Sequence, residues 1–542
     1  MPVGKILLMK RIVFLSFILL ALVACNQQNT PEQKAPNALI TSATVTPDYD
    51  SIIVSFSSAK LDFSQFDNSK VSLSPGSDFE YDASVQGSNL ILALKHSLKY
   101  FTPYTFRFDA GNNMGVRVVD DFAYKFTTPY DPNPKFPTIS DDELLTLVQQ
   151  RTFRYFYDFA HPASGLARER NSSGNTVTIG GSGFGLAAFP VAVERGFISR
   201  AEALAHCTKV VDFLTDKAER FHGAYPHWLD GNTGKILAFS TKDDGADLVE
   251  TAFLIEGLLV LRQYFSGTSP EETALREKIT AIWEGVEWDW FRQNGKNVLY
   301  WHWSPNYDWA MNMPIRGWNE GLIIYVLAAS SPTHPIDKTV YTEGWAKNGG
   351  IRNGKKYYNI VLPLGEEMGG PMFFAHYSFL GLNPMILSDE YAQYGEQNRA
   401  HARINYEYSL RNRVQPTDSK QAHWGLTASD IPNGYYATSP THDNGTTAPT
   451  AALASMPYTP TESMAALRYF YYTLGDRLWG EYGFKDAFNL PARWFASSYI
   501  AIDQGPIIVM IENYRTGLIW QLFMSCPEIQ QGLNVLGMEA DL

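Results

Sequence analysis

Residues 240–257, STKDDGADLVETAFLIEG, place four acids within eight positions at the start of an apolar helical pattern. The helical pattern covers about residues 245–266, where Leu, Ile and Phe recur as in a buried helix. On one continuous helix Asp243, Asp247 and Glu250 would fall at i, i+4 and i+7, so the three side chains would share a face. Carboxylates this close repel each other unless a pKa shifts or a ligand lies between them.

Two interpretations of this acid cluster remain open. Acids at a helix N-terminus accept hydrogen bonds from free N–H groups and interact favourably with the helix dipole, which accounts for Asp244. Capping accounts less well for Asp247, and poorly for Glu250, which lies a turn further in. Paired carboxyl groups are also how a glycosidase provides an acid and a base. We therefore predict that Asp243, Asp247 and Glu250 are catalytic and that Asp244 is a cap.

The helical period extends over most of the chain after residue 138. Five segments fit the capping box, in which Ser or Thr stands three residues before Glu; they begin at Ser140, Ser199, Ser269, Thr459 and Ser525. Further helical patterns lie near 183–195, 245–266, 319–330, 389–412 and 505–523. About ten to twelve helices predict a mostly α domain over 138–542, an (α/α)6 toroid. An α-solenoid would need a repeating sequence period, and none is seen.

A different pattern precedes the helical region. Over 38–129, short runs such as SIIVSFSS and YTFRFDA alternate apolar and polar residues between Asp, Gly, Asn and Pro turns, which predicts a small β-sandwich. The segment FTPYTFRFDAGNNMGVRVVDDFAYKFTT resembles the bacterial Ig-like modules that often precede carbohydrate-active domains. Such modules are usually spacers, although a contact with glycan is the alternative.

The first residues have the features of a secretory signal. Lys5, Lys10 and Arg11 precede an apolar run, and the sequence Leu-Val-Ala-Cys ending at Cys25 resembles the bacterial lipobox. A transmembrane helix is the weaker interpretation, because the run is shorter than the about 20 residues that a span needs. We expect a signal peptide over 1–24, lipidation of Cys25 and a polar tether over 25–37. This places the protein in the envelope of a Gram-negative bacterium, periplasm-facing or at the outer membrane, with a lipid anchor as its membrane contact.

Composition limits the partners. The 542-residue chain is 45% hydrophobic and 18% charged, which is typical of a globular protein, and its net charge of −12 argues against nucleic acid as a partner. No CxxC or HExxH motif occurs, so we expect no metal and no cofactor. Cys207 and Cys526 are expected to be buried free thiols, and the protein a monomer.

Aromatic residues crowd the segment that ends at Glu320, WHWSPNYDWAMNMPIRGWNE. Glu320 opens another apolar helical pattern, and flat aromatic rings with nearby amide and guanidinium groups are what a pyranose-binding site needs. Part of these aromatics is expected in the core. The predicted sugar contacts are Trp301, His302, Trp303, Tyr307, Trp309, Arg316 and Trp318, with His227, Trp228 and His376 from other segments. Asp503 repeats the pattern of an acid at a helix start.

Six motifs together resemble the bacterial glucoamylase-like domain that includes the endo-β-1,2-glucanases of glycoside hydrolase family 144. They are SGFGLAAFPVAVERGFISRAEA, GAYPHWLDGNTGK, DDGADLVETAFLIEGLL, WHWSPNYDWAMNMPIRGWNE, LPLGEEMGGPMFFAHYSFLG and IDQGPIIVMIENYRTGLIW, over about residues 138–535. The resemblance implies an (α/α)6 barrel, endo hydrolysis of linear β-1,2-glucan to short oligosaccharides, inversion at the anomeric carbon and no metal. By motif, it carries the functional acids onto Asp243, Asp247, Glu250 and Glu320, and by position onto Asp503.

These observations lead to the hypothesis of a β-1,2-glucan hydrolase. Glu320 is the expected general acid, and Asp503 or an acid of the 243–250 segment helps to activate water, although these roles could be exchanged. Three alternatives stay open: a hydrolase of another glucan linkage, a noncatalytic glycan-binding surface lipoprotein, and a polysaccharide lyase. The lyase would need a Tyr or His base and basic residues, so the acidic cluster disfavours it.

Overall fold

The computed structural model describes residues 34–58, 60–76, 79–415 and 422–540, which form two compact units divided between Pro129 and Tyr130. The predicted signal peptide, the lipidation site Cys25 and most of the predicted tether lie outside the described residues. Within those ranges, no helix is both long enough and apolar enough to cross a membrane.

The first unit consists of short strands in three small sheets. Their order is β2-β3-β6-β5, β10-β7-β4 and β1-β9-β8. The strands are β1 Asn37–Ala38, β2 Ile40–Val45, β3 Ser51–Phe56, β4 Val71–Ser74, β5 Tyr81–Gln86, β6 Asn89–Leu94, β7 Pro103–Phe108, β8 Gly111–Asn113, β9 Val116–Val118 and β10 Phe122–Thr127.

The core of this unit lies between its sheets. In β3, Ile52, Val54 and Phe56 are buried and alternate with half-buried residues, and β7 alternates in the same way. The ring of Phe56 packs edge-on against that of Phe108, with centroids 5.6 Å apart. The alternation that predicted strands is therefore the alternation of residues that face this core.

The second unit is mostly α, so the mostly α class predicted for this part of the chain is confirmed. Its helices are α1 Asp141–Tyr157, α2 Ile179–Glu194, α3 Arg200–Asp216, α4 Leu248–Tyr264, α5 Pro270–Glu284, α6 Leu322–Ser330, α7 Tyr394–Asn412, α8 Pro449–Leu453, α9 Pro460–Arg468, α10 Gly475–Leu478, α11 Ala501–Arg515, α12 Leu518–Met524 and α13 Pro527–Leu536. Cys207 and Cys526 are buried free thiols in this unit, as expected.

Short strands connect these helices. They are β11 Thr176–Thr178, β12 Trp228–Asp230, β13 Ile236–Leu237, β14 Ala246–Asp247, β15 His302–Trp303, β16 Lys356–Tyr357, β17 Ile360–Val361, β18 Leu387–Ser388, β19 Ala428–Ile431, β20 Gly434–Ala437, β21 Trp479–Gly480, β22 Gly483–Phe484, β23 Phe488–Asn489, β24 Trp494–Phe495 and β25 Glu539–Ala540. Most form two-stranded ladders, and they tie together the long loops in which the sequence concentrates its aromatic residues.

Three predicted caps are present at the predicted positions. Ser140 and Ser199 each accept the N–H of the Glu three residues later, and that Glu accepts the N–H of the Ser in return. Ser269 accepts the N–H of Glu272 at the start of α5, with proline at the first helical position. Each such cap stabilises its helix by about 1 kcal/mol.

Two predicted caps are wrong. Thr459 makes no side-chain cap, because its hydroxyl donates to the carbonyl of Ser455 in the preceding turn. Ser525 ends α12 rather than starting α13, since its hydroxyl donates to the carbonyl of Leu522, and Cys526 takes the cap position. Local hydrogen bonds to the preceding turn compete with capping for these hydroxyls.

Glycines let three buried helices approach each other closely. A side chain on Gly183 of α2 would place its Cβ 2.1 Å from the carbonyl oxygen of Phe253 in α4, and one on Gly257 of α4 would lie 2.0 Å from the carbonyl oxygen of Gly183. On another side of α2, a Cβ on Gly505 of α11 would lie 2.4 Å from that of Phe184. The backbones of α2, α4 and α11 therefore meet without intervening side chains.

We predict that Gly183→Ala lowers the free energy of unfolding by about 3 kcal/mol or more, since the methyl group would meet a backbone carbonyl that side-chain rotation cannot move away. Urea unfolding of the purified variant followed by circular dichroism measures this change. Gly285→Ala is the matched control, because Gly285 has helical φ and ψ of −81° and −6° and meets only carbonyls of its own helix within 3.6 Å. A Gly183→Ala variant as stable as Gly285→Ala would contradict the close packing.

Candidate active site

The starts of several buried helices lie next to one another. The N–H of Gly180, in the first turn of α2, donates to Glu250 Oε2 in the first turn of α4 at 2.7 Å. A side chain on Gly181 would lie 2.8 Å from the Cβ of Ala501, the first residue of α11. The N-termini of α2, α4 and α11 therefore converge, and the acids at these starts are brought into one region.

The structure corrects the predicted geometry of the acid cluster. Helix α4 begins at Leu248 and Asp247 is its N-cap, so Asp243 lies in the preceding loop and does not share a helix face with Asp247 and Glu250. The helix cannot extend further back, because Asp247 pairs as a strand residue with His302. Asp244, predicted as the cap, instead accepts a hydrogen bond from Ser304 Oγ.

Two histidines hold the acids together. His227 Nδ1 lies 3.0 Å from Asp247 Oδ2, and its Nε2 lies 3.9 Å from Glu250 Oε1. His302 Nε2 lies 3.3 Å from Asp243 Oδ2 and 3.8 Å from Asp247 Oδ2. His227 and His302 had been predicted as sugar contacts, and the structure places them as partners of the predicted catalytic acids.

These contacts set opposite charges side by side. Burial disfavours the charged form of Asp247, but the hydrogen bond and charge of His227 and the charge of His302 outweigh it and lower the pKa of the carboxyl. Burial likewise opposes a charge on His227, yet Glu250 and Asp247 raise its pKa to about 9. The pKa of His302 is also raised, by Asp243 and Asp247 against the effect of burial. Asp247 is therefore an anion next to the His227 imidazolium, and it also favours the charged form of His302.

Asp247 has no oxygen left for a substrate. Its Oδ1 accepts the N–H groups of Val249 and Glu250 at 3.0 and 2.9 Å, its Oδ2 accepts from His227, and the side chain is fully buried. The structure therefore places Asp247 as a group that orients its neighbours.

The pKa values of Glu320 and Glu250 are shifted upward, in the opposite direction from that of Asp247. Burial, together with the negative charges of Glu250 and Asp247, raises the pKa of Glu320 to about 7. The pKa of Glu250 is raised mainly by burial and by the charge of Asp247, despite the opposing effect of His227. Glu320 stands two residues before α6 and is 9% exposed, so a buried carboxyl that keeps a substantial protonated fraction at neutral pH lies near the other acids.

Asp503 lies in the first turn of α11 within a second group of acids. Its carboxyl contacts that of Asp486, which accepts the N–H of Asp430 at 2.6 Å. Arg170 binds Asp430 at 3.1 and 3.2 Å. Sequence reasoning missed Asp486 and Asp430; the available signal was an isolated acid among apolar residues, as in GFKDAFNL.

Tyr377 lies between the two groups of acids. Its ring contacts Phe184 of α2 and Phe253 of α4, with centroids 5.1 and 5.5 Å away. Burial raises the pKa of its hydroxyl, and the charges of Asp503, Glu320 and Glu250 raise it further. All five predicted acids thus belong to one region of the second unit.

The predicted sugar contacts divide into accessible and buried residues. Those with accessible surface are Trp228, Trp301, Trp303, Tyr307, Trp309 and Arg316, of which Tyr307 is 44% exposed. Trp318 is buried and stacks on Phe379. His376 is 2% exposed, and its Nε2 is 2.9 Å from Ser455 Oγ. As a correction, Trp318 and His376 are core residues, because the loops that carry them fold inward against the helices.

An exposed aromatic residue beside the acid cluster was not among the predicted sugar contacts. Phe239 is 50% exposed, and its ring lies 4.3 Å from that of His227 and 4.9 Å from that of Trp228, measured between centroids. The signal in the sequence was a lone Phe directly before the polar acid segment. It gives the acid cluster an accessible flat face of the kind that pyranose rings stack on.

Three side chains of metal-ligating type also meet here. One possible ligand atom from each of His227, Asp243 and Asp247 lies within 4.8 Å of the others. Among the described residues, this is the one group of three metal-ligating side chains that come so close together. His227 and His302 already pair with these carboxylates. The ion pairs account for the arrangement.

The chain is similar to several known proteins in sequence and fold. The family model described as "Putative glucoamylase" matches residues 312–527. A solved structure from Bacteroides uniformis with the same description is 56% identical, with a TM-score of 0.73, and the match covers 75% of this chain and 99% of that one. The endo-β-1,2-glucanase of Chitinophaga pinensis, solved with sophorotriose and glucose, is 50% identical over 74% of this chain and 99% of that one, with a TM-score of 0.72.

A curated relative is 45% identical over 418 residues. It is the exo β-1,2-glucooligosaccharide sophorohydrolase (non-reducing end) of Parabacteroides distasonis. The match covers 73% of this chain, and the chain spans 58% of the length of that relative.

We predict that Glu320→Gln stabilises the protein at alkaline pH. The folded-state pKa of about 7 lies above the ordinary 4.5, so the native state binds the extra proton between these values and loses stability as the pH rises through them. Removing the ionisable group should raise the free energy of unfolding by about 3 kcal/mol above pH 8, and by almost nothing near pH 4. Urea unfolding of both proteins across this range measures the difference, and a difference that does not vary with pH would contradict the raised pKa.

Proposed function

The chain belongs to glycoside hydrolase family 144, and on that premise we propose that it hydrolyses linear β-1,2-glucan to short oligosaccharides. Relatives 50% and 45% identical are described as an endo-β-1,2-glucanase and a β-1,2-glucooligosaccharide sophorohydrolase. The substrate is thus a chain of β-1,2-linked glucose, and the proposed attack is internal.

The observation that carries this proposal is the buried, proton-holding Glu320 beside other acids. A general acid must be protonated before the reaction and must lose its proton near the working pH, and a pKa of about 7 meets both conditions. Glu320 donates its proton to the glycosidic oxygen as the bond to the anomeric carbon breaks. The anionic neighbours that raise its pKa keep the proton in place until then.

A second carboxyl group activates the water that attacks the anomeric carbon. Glu250 and Asp503 are the candidates, since Asp247 has both oxygens occupied by the helix and His227. In an inverting hydrolase the two carboxyl groups stand roughly 6.5–9.5 Å apart, which leaves room for that water. We assign Glu250 and Asp503 to this step as alternatives, with inversion as the stereochemical outcome.

Accessible aromatic rings bind the sugar in this proposal. Tyr307 and the partly exposed Trp301, Trp303 and Trp309 lie on the loop that leads to Glu320. The rings of Phe239 and Trp228 pack against each other, and that of Phe239 also contacts His227. Rings of this kind stack on the apolar faces of glucose, and Arg316 supplies a hydrogen-bond donor for hydroxyl groups.

The finer architecture is part of the same proposal. We assign the helices of the second unit to an (α/α)6 barrel over 138–542, with acids at the helix starts, and the β-rich unit over 38–129 to an Ig-like spacer. The enzyme works as a monomer without metal or cofactor.

The envelope location rests on the sequence of residues 1–25. Signal-peptide cleavage before Cys25 and lipidation of its thiol would leave the protein anchored to the membrane by lipid, periplasm-facing or at the outer membrane. A polar tether then connects the anchor to the folded units.

We predict that the purified protein from residue 26 onward releases short oligosaccharides from linear β-1,2-glucan and leaves β-1,3-, β-1,4- and α-1,4-glucans intact. Chromatography of the products measures this. Glu320→Gln should reduce turnover by about 100-fold or more while binding of the polymer persists, because only the proton donor is lost. Glu343→Gln, at an exposed glutamate of the same unit, is the matched control.

Three results of this experiment would change the proposed function. Release from another glucan alone would assign a different linkage. Binding of β-1,2-glucan without any products would favour a noncatalytic glycan-binding lipoprotein. Full activity of Glu320→Gln would remove Glu320 from the role of general acid.

We predict that Cys25→Ala moves the protein from the membrane fraction to the soluble fraction of an expressing Gram-negative host, because no lipid can be attached without the thiol. Immunoblotting of the separated fractions measures the distribution, with Cys207→Ala as the control because Cys207 is buried. Retention of Cys25→Ala in the membrane fraction would overturn the lipid anchor.

A further inference from the structure

Two buried carboxyl groups lie against each other at the start of α11. Asp486 and Asp503 are each 2% exposed, and their side chains are in hydrogen-bond contact. Asp486 Oδ1 and Asp503 Oδ2 have no donor from any other group among the described residues. A carboxylate oxygen can only accept, so two carboxylates in this position would repel, and a single proton between them is what satisfies both.

We propose that Asp486 is a positioning residue that shares one proton with Asp503, so that the pair carries a single negative charge and accepts a proton as a unit. This rests on the proposed function, in which Asp503 is a candidate for activating water. It extends that function by assigning a second side chain, outside the motifs that identify the family, to the same proton-transfer step.

The surroundings fix Asp486 in place. Its Oδ2 accepts the N–H of Asp430, and its own N–H donates to the carbonyl of Ser498. The Asp430 carboxylate is bound in turn by Arg170 and by the hydroxyl of Ser498. Rotation of the Asp486 carboxyl away from Asp503 would break its hydrogen bond from the Asp430 N–H.

The charges that face the pair come from several elements. Asp430 on β19 is negative, and Arg170, in the loop before β11, is positive; both act on Asp503. The hydroxyls of Tyr377 and Tyr435 lie near Asp503. Burial raises the pKa of both carboxyls, the charge of Asp430 adds to this for Asp486, and the charge of Asp486 adds to it for Asp503. A proton therefore stays bound to the pair at neutral pH.

The proposed step balances as follows. The oxygen of water forms a bond to the anomeric carbon while the bond from that carbon to the glycosidic oxygen breaks. The leaving oxygen takes the proton of Glu320, and the proton lost by water passes to the pair, which becomes neutral. Before this transfer the shared O–H binds the remaining carboxylate of the pair through a charge-assisted hydrogen bond, which is stronger than one from an amide N–H.

Asp486→Asn tests the proposal, since it keeps the shape and the net charge of the pair but replaces the O–H donor with an amide. We expect kcat on β-1,2-glucan to fall about tenfold with KM within about twofold. The acidic limb of the pH profile should move to higher pH, because the weaker donor leaves Asp503 easier to protonate. Glu481→Gln, an exposed acid in the same region of the chain, should leave both quantities unchanged.

A second measurement does not depend on glucan cleavage. Raising the pH removes the shared proton from the wild-type pair and leaves two buried carboxylates, so its free energy of unfolding should fall between pH 6 and pH 9 more than that of Asp486→Asn. Asp503→Asn should reduce this fall in the same way, which keeps the test available if Asp486→Asn folds poorly. Failure of glucan cleavage together with this pattern would overturn the proposed function and leave the pair intact.

Two results would overturn the proposal. One is a pH profile of Asp486→Asn with the same acidic limb as the wild type, even if kcat is lower, because a purely structural role would change the amount of active protein and not its titration. The other is a fall in stability between pH 6 and pH 9 that is the same in the wild type, Asp486→Asn and Asp503→Asn.

Discussion

The contact between helices α2 and α4 is the constraint on which the site depends. Because Gly183 and Gly257 carry no side chains, the two backbones meet, and the first turns of the helices come within hydrogen-bond distance. Between these first turns, the N–H of Gly180 donates a hydrogen bond to Glu250. A Cβ on Gly180 would lie 2.6 Å from the same carboxylate oxygen, so a larger residue there would displace the acid. Helix packing and the position of Glu250 are therefore one feature.

Burial at this junction gives similar carboxyl groups different properties. Asp247 receives two backbone N–H groups and an imidazolium, and its pKa is lowered. Glu320 has no comparable hydrogen-bond partner among the described residues, and burial together with the charges of Glu250 and Asp247 raises its pKa to about 7. Ionising a buried acid with a raised pKa lowers the free energy of unfolding. The site keeps such an acid because proton donation requires a carboxyl group that is still protonated near neutral pH. The histidines His227 and His302 limit this loss of stability by compensating the acids that stay charged.

The sequence predicted which segments form helices better than it predicted where each helix begins and which distant residues it contacts. The mostly α class and the caps at Ser140 and Ser199 followed from periodicity and local hydrogen bonding, which act within a few residues. The prediction that Asp243 and Asp247 share a helix face is wrong, because Asp247 pairs as a strand residue with His302, more than fifty residues away, and this pairing sets where α4 begins. Asp486 was missed for a similar reason, since its partner Asp503 lies in another helix. Interactions between distant segments leave no period in the sequence.

Capping a helix and taking part in the site are not exclusive roles for the acids at the start of α4. Asp247 caps α4 through Oδ1 and binds His227 through Oδ2, so one carboxylate ends the strand, starts the helix and orients the imidazole that faces Glu250. Glu250 likewise satisfies an N–H at the start of α2 while its other oxygen faces that imidazole. Free N–H groups at converging helix starts hold carboxylates at fixed positions without mobile side chains. A chain therefore places acids at the start of an apolar helix because the interaction that stabilises the helix end also fixes the acid where its charge acts.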